Sequence, residues 1–347
     1  MLSTIRRVSS RILSAWALRP LVGVVISAAC LFALARTGVS LQDVGARLEH
    51  GNPAVLPPAV ALYLGALFVR SVRWGLLLPG RNLSPWLLFR TLVIGFMVND
   101  ILPLRLGEVA RIVLLARNAS TPVGVSFASI IVERVLDGLA LIALLALGMV
   151  LLGRSDWLLQ MTIASIFFCG LLVVLLWAAL APRLARGIAG VLTGPLPPRF
   201  RDPLRRLVDG TLDGLRPITH PGIGLSVIAL SLLAWAIEAT MYIVIMFGFN
   251  VPDPLAAGPF GAAVANLATL VPSSPGYVGT FDLALQRVLT DVFGAASDVA
   301  TSATLVVHLT FIVPVVALGL FFLWKEDLPL AQLARRPHAL QKAVAGR

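Results

Sequence analysis

Charge is scarce in this chain: 13% of its 347 residues are Asp, Glu, Lys or Arg, against 58% that are apolar. Soluble globular domains carry charge at about a quarter of their positions, so a water-facing fold is excluded. Cysteine is rarer still. Cys30 and Cys169 both sit inside apolar runs, and the four histidines fall without ligand spacing. That pattern supports neither a disulfide framework nor a metal site, and no cofactor is expected. Missing as well are G-x-x-x-x-G-K-[ST], HExxH and G-x-S-x-G. ATP is therefore not expected to drive this chain directly, and no catalytic residue is assigned.

What the sequence does have is apolar length. Crossings are expected at about 20 to 35, 54 to 78, 122 to 152, 157 to 181, 222 to 249 and 298 to 324, near or above the roughly 18 to 20 residues that span a bilayer core. Two further apolar runs, 86 to 104 and 255 to 272, end in Pro and Gly. Broken backbone is tolerated at membrane depth only where protein or a watery cavity satisfies it. The expected fold is thus an all-α polytopic membrane protein of six crossings and two re-entrant or broken helices. It forms one transmembrane domain, 20 to 324, between a basic N-terminus, 1 to 19, and a basic tail, 325 to 347.

The net charge of +11 reads as an orientation signal rather than a nucleic-acid surface. With both broken runs re-entrant, 23 of the 28 Lys and Arg fall in segments 1 to 19, 70 to 117, 182 to 221 and the tail from Lys325. Both termini are then cytoplasmic. The first broken run is entered from the cytoplasm and the second from outside, so the halves are inverted copies: a crossing, a re-entrant element and another crossing. "PLRLG" (Pro103 to Gly107) and "PSSPG" (Pro272 to Gly276) share Pro-x-x-x-Gly, and each follows an Asn, Asn99 or Asn266. Paired interrupted segments of this kind point to a midplane site in secondary transporters. Within the cytoplasmic loop 181 to 221, Leu204, Leu207, Val208, Leu212 and Leu215 share a helical face. That face suits either an interfacial helix on anionic lipid or an ordinary helix packed on the bundle. At the N-terminus, four Arg, an apolar run and "ALA" at 33 to 35 imitate a cleavable signal, but the long arginine-bearing segment fits a retained anchor better.

Polarity is concentrated in a few places. "NDILPLRLGEVARI", 99 to 112, carries Arg105, Glu108 and Arg111 just past the first break, where freed backbone groups and Arg together suit a phosphate. "VERVLDG", 132 to 138, puts Glu133, Arg134 and Asp137 inside a crossing, each costing about 2.5 to 3.5 kcal/mol if left without a partner or water. Arg134 and Asp137 are three apart and can meet, whereas Glu133 needs a cation from another helix. Glu238, sixteen residues into its crossing, lies at a similar depth and is expected to bracket Arg134 with Asp137. At the second tip, "PSSPGYVGTFD", Ser273 and Ser274 offer hydroxyls, Gly276 and Gly279 allow close approach, and Asp282 supplies an acid. These charges either pin helices together or line a polar cavity, and the second tip is either part of that site or a tight turn. Arg70 and Arg73, at the inner end of a crossing, are expected to snorkel to the interface.

On these residues the chain resembles the transmembrane domain of lysylphosphatidylglycerol synthases, also found as stand-alone flippase-like proteins. The matching elements are "RSVRW" at 70 to 74, "NDILPLRLGEVARI" at 99 to 112, "ERVLDG" at 133 to 138 and "PSSPGYVGTFD" at 272 to 282. The resemblance implies a bacterial inner-membrane protein that moves a lipid or lipid-linked compound between leaflets. It implies site roles for Arg73, Asn99, Pro103, Arg105, Gly107, Glu108, Arg111, Glu133, Arg134, Asp137, Pro272, Gly276 and Gly279. The substrate expected is a membrane lipid with an anionic phosphate; an oligomer or a separate synthase partner stays open. His308 in "VVHLTFIVP" stands where such proteins commonly have Arg. The soluble aminoacyl-transferase domain is not seen after the last crossing, so synthase activity is not implied. An intramembrane lipid enzyme and a non-transporting accessory protein remain as alternatives.

Overall fold

Proline decides where many of the helices begin. Its fixed φ suits the first helical position, where its missing N–H is not needed. In the computed structural model, which describes residues 52–78, 83–102, 106–153, 158–271 and 273–325 with four helical positions between Val25 and Phe32, five helices start on Pro. The elements are α1 (Leu56–Leu76), α2 (Pro85–Ile101), α3 (Gly107–Ala119), α4 (Val123–Leu152), α5 (Leu158–Leu180), α6 (Pro182–Thr193), α7 (Pro198–Gly214), α8 (Pro221–Gly248), α9 (Pro254–Ala268), α10 (Thr280–Arg287) and α11 (Ser297–Lys325). The protein is an all-α polytopic membrane protein.

Four described helices are long and apolar enough to cross a membrane: Pro53–Leu76, Val123–Leu152, Pro221–Gly248 and Ser297–Lys325. Ser165–Leu180 and Pro182–Thr193 make a fifth candidate, bent by 102° at the break. The expected crossing at 20 to 35 lies outside the described residues apart from those four positions, as do the chain ends 1 to 19 and 326 to 347. The two interrupted runs are indeed short. At 1.5 Å per residue, α2 and α9 reach only about 25 and about 22 Å, less than the roughly 30 Å hydrocarbon core.

Helix packing pairs off in a regular way. α1 lies against α8; α2 lies against α11 as α9 lies against α4; and α4 meets α8 as α11 meets α1. Each of the two cross-contacts between a short helix and a long one is made over a glycine. A Cβ on Gly148 of α4 would come 2.6 Å from Cβ of Phe260 on α9, and one on Gly319 of α11 would come 2.6 Å from Cβ of Met97 on α2. The large apolar core around these contacts includes Met97, Leu145, Tyr242, Phe260 and Val307.

In the loop region, packing on the bundle is the alternative observed. The apolar face at Leu212 and Leu215 of the α7 region packs into a second core with Ala128 and Val135 of α4, and a Cβ on Gly210 would come 3.1 Å from Cα of Gly124. The C-terminal half of this face thus packs on the bundle, while Leu204 at its start stays exposed. On α6, Leu184, Ile188, Val191 and Leu192 are exposed and recur along one face. Arg186 ties α6 to α7 through Asp209 at 3.0 Å and Asp213 at 3.3 Å.

The glycine seats generate a stability test. Gly319→Leu drives a side chain into Met97, and overpacking of this kind costs about 1–3 kcal/mol. Thermal melting in detergent should show a clear drop for Gly319→Leu and no change for Gly65→Leu, whose Cβ would meet nothing within 4 Å. Equal melting temperatures would show that the α2–α11 seam is not tightly packed.

Candidate functional site

The two chain breaks meet. In the last turn of α2, Asn99 Oδ1 accepts the N–H of Gly107 at 2.7 Å and so ties the end of α2 to the start of α3. A Cβ on Gly107 would collide with Asn99 and with the carbonyl of Gly95, which is why the sequence has glycine there. On the other side, a short 3-10 turn Pro275–Tyr277 holds Gly276 at φ 67, and a Cβ on Gly276 would stand 3.5 Å from the Asp100 carbonyl. Pro103, Arg105 and Pro272 lie outside the described residues.

Beneath these tips the charged residues of α1, α3, α4 and α8 form a buried ion-pair set. Glu133 is at its centre. Arg111 of α3 holds both its oxygens, at 2.8 and 2.9 Å, Arg134 reaches it at 2.8 Å, and Arg73 stands 3.8 Å away. The cation that Glu133 requires from another helix is thus Arg111, whose guanidinium also lies 4.1 Å over the Trp74 ring. Arg73 donates to Asp137 at 2.6 Å and to Ser231 at 2.9 Å, and the Trp235 indole N–H adds a second bond to Asp137 at 3.1 Å. Arg134 approaches Asp137 only to 4.0 Å.

Two expectations are corrected here. Arg70 and Arg73 do not snorkel. Both are buried, because their long side chains find carboxylates on α4 and α8 nearer than any headgroup. Nor does Arg134 meet Glu238. Glu238 accepts from Arg70 at 2.6 Å, and Asn266 of α9 stands 3.4 Å from its other oxygen. The helices α1 and α8 pack along each other, so α1 supplies the nearer cation; Arg70, three residues before Arg73 on the same helical face, was the readable signal.

A cavity of about 300 Å³ opens between these groups and the tips. Among the expected site residues Asn99, Glu108, Arg134, Asp137, Glu238, Gly276 and His308 line it. Arg73, Arg111 and Glu133 stand behind it as supports. Ser273 and Ser274 are not among its walls; Ser274 donates within its own turn to the Val278 carbonyl at 3.2 Å. Gly279 donates its N–H to Asp282 Oδ2 at 2.8 Å, so both serve the start of α10. Sequence reasoning missed Asp100, Tyr63 and Trp235, which also line the space. Asp100 follows Asn99 directly, but aromatic walls inside apolar helices carry no pattern that separates them from core. Arg134 is the exposed member of the ion-pair set, its side chain 43% accessible against 0% for Arg73. Glu108 contributes an oxygen, Oε2, that is buried with no hydrogen-bond partner among the described residues.

Truncating one partner of a buried ion pair leaves an uncompensated charge and costs about 3–5 kcal/mol. Arg70→Met and Glu238→Gln should each lower the melting temperature in detergent, and the double variant should lose clearly less than the sum. Pairing Glu238→Gln with Arg134→Gln should give simple additivity instead. The opposite ranking would return Glu238 to Arg134.

Comparison with known proteins finds a family and relatives for this chain. The description "Lysylphosphatidylglycerol synthase TM region" matches residues 21–319. Glycosyltransferase AglD of Haloferax volcanii is 24% identical over 305 residues, covering 77% of this chain and 48% of its own length. The UPF0104 membrane protein MJ1078 of Methanocaldococcus jannaschii is 24% identical over 198 residues, covering 55% of this chain and 78% of its own. The chain thus spans about half the length of the first of these relatives. No solved structure matches it. With the family description covering the bundle from the first expected crossing to the last, this chain belongs to the lysylphosphatidylglycerol synthase transmembrane-region family.

Proposed function

We propose that the protein moves a lipid or lipid-linked compound between leaflets, taking the headgroup into the cavity between two inverted halves. The observation that carries this reading is a mixed-charge cavity of about 300 Å³ at the meeting of two helix breaks, in the interior of a membrane bundle. Such a space has the lower-end volume of a ligand pocket and suits a headgroup, with the acyl chains left outside. Among the described residues its ion-paired set holds four arginines, Arg70, Arg73, Arg111 and Arg134, against three carboxylates, Glu133, Asp137 and Glu238. The surplus cation has its most exposed representative in Arg134, the natural seat for a phosphate. Asp100 and Glu108 on the other wall offer acceptors to hydroxyl or ammonium groups.

The paired packing of α1 with α8, α2 with α11 and α9 with α4 is the neighbour pattern an inverted repeat requires, and it supports rocking of one half against the other. The distribution of Lys and Arg supports an orientation with both termini and the α6–α7 region cytoplasmic. One relative carries the name of a glycosyltransferase, which keeps sugar-bearing lipids beside phospholipids in the substrate class. We assign no catalytic step to this chain.

Leaflet exchange of fluorescent phospholipids and polyprenyl phosphates in proteoliposomes tests the proposal. Arg134→Gln and Glu108→Gln should each slow exchange at least tenfold, a barrier change of about 1.4 kcal/mol. Their melting temperatures should stay near the parent's, because Glu133 keeps Arg111 and Arg73. Arg186→Gln, on the distant α6–α7 bridge, should exchange normally. Headgroup modification without exchange would replace transport by enzyme chemistry.

A further inference from the structure

His308 of α11 is buried and touches two acceptors at once. Its Nδ1 lies 2.6 Å from Asp282 Oδ1 and its Nε2 lies 2.7 Å from the Gly276 carbonyl. A carbonyl oxygen only accepts, so Nε2 must carry a proton. Asp282 already accepts the Gly279 N–H through Oδ2, which leaves Oδ1 to the ring. The short Nδ1–Oδ1 contact holds one further proton, so the pair and Nε2 together bind two; with that proton on Nδ1 the ring is imidazolium. Besides Asp282 on α10, the group facing this ring from a neighbouring element is Asp100 at the end of α2. Around the same cavity α1 presents Tyr63 and Arg70, α8 presents Glu238, and the second tip presents Tyr277.

We propose that His308 and Asp282 form a proton-binding site that latches the second tip over the cavity. In the protonated state one ring holds α10 through Asp282 and the tip through Gly276. When the imidazolium gives one proton to water in the cavity, the remaining N–H stays with the stronger acceptor, the Asp282 carboxylate. The bare Nε2 lone pair then faces the Gly276 carbonyl and repels it. The tip is released, and with it the packing of the turn Pro275–Tyr277 on α2. Gly276, at φ 67, is conformationally free to take up that movement. The latch closes as pH falls and opens as pH rises, so a proton leaves with each opening. The role of this proton in transport rests on the leaflet-exchange reading; its presence at His308 does not.

Two experiments on the full-length protein in lipid nanodiscs test the site without any transported lipid, so a failure here leaves leaflet exchange standing, and a failure of exchange leaves this site standing. In a variant with His50, His220 and His338 changed to Gln, ¹⁵N-histidine NMR at pH 6 should show two protonated ring nitrogens for His308. In Asp282→Asn it should show one. A neutral ring in the parent at pH 6 overturns the proposal. Second, Ser273→Cys is placed in a background lacking Cys30 and Cys169, and its labelling by an impermeant thiol reagent is followed from pH 6 to pH 8.5. The rise should be at least fivefold greater with His308 than with His308→Arg, whose charge cannot be lost and in which the thiol's own titration is still present. Equal rises in the two proteins would show that the ring does not hold the tip.

Discussion

A carboxylate inside a membrane bundle must be neutralised where it stands, and Glu133 is neutralised by three guanidinium groups arriving from α1, α3 and its own helix α4. Much else follows from this. Arg111 can reach Glu133 only if α3 folds back after the break at the end of α2. That return depends on the Gly95–Gly107 close approach, since a Cβ on Gly95 would strike the aliphatic stem of Arg111. Arg73 must be drawn inward from the end of α1, which carries Trp74 and Ser129 into a hydrogen bond at 2.9 Å. Breaking a buried pair is costly, whereas a completed one is close to neutral; the cluster therefore specifies which helices meet more than it adds to net stability.

The cavity is a consequence of where helices stop. α2 and α9 are too short to cross, and their ends leave polar backbone that a lipid environment could not satisfy. One end is closed by Asn99 on Gly107, the other by Asp282 on Gly279 and His308 on Gly276. Both closures use a side chain from the neighbouring sequence or the facing helix, and between them they leave room lined by charge and aromatic rings. The halves use comparable devices: a small residue on each long helix seats a large one from the opposite short helix, Gly148 with Phe260 and Gly319 with Met97.

Much of this was legible in the sequence because membrane burial makes polarity conspicuous. Glu133, Asp137, Glu238 and the Pro-x-x-x-Gly breaks stand out against apolar runs, and the helix limits followed from Pro, Gly and hydropathy. Partner choice was not legible. Depth along a helix placed Arg134 and Glu238 at one level, but rotation about the helix axis, which packing of α1 on α8 decides, gave Glu238 to Arg70. The amphipathic face at Leu212 and Leu215 looked the same whether lipid or α4 would cover it, and α4 does. Tyr63 and Trp235 were invisible as cavity walls for the same reason: an aromatic in an apolar run fits core and lumen equally.

Photo-crosslinking from the lipid headgroup would show where a lipid sits. Phosphatidylglycerol and a polyprenyl phosphate, each with a diazirine on the headgroup, would be irradiated with the reconstituted protein and the adducts mapped by mass spectrometry. A headgroup held in the cavity would mark α4 near Arg134 and α8 near Trp235, with the signal competed away by the unlabelled lipid. Adducts confined to outward-facing positions such as Val150, Ile166 and Trp324 would contradict a lipid site inside the bundle.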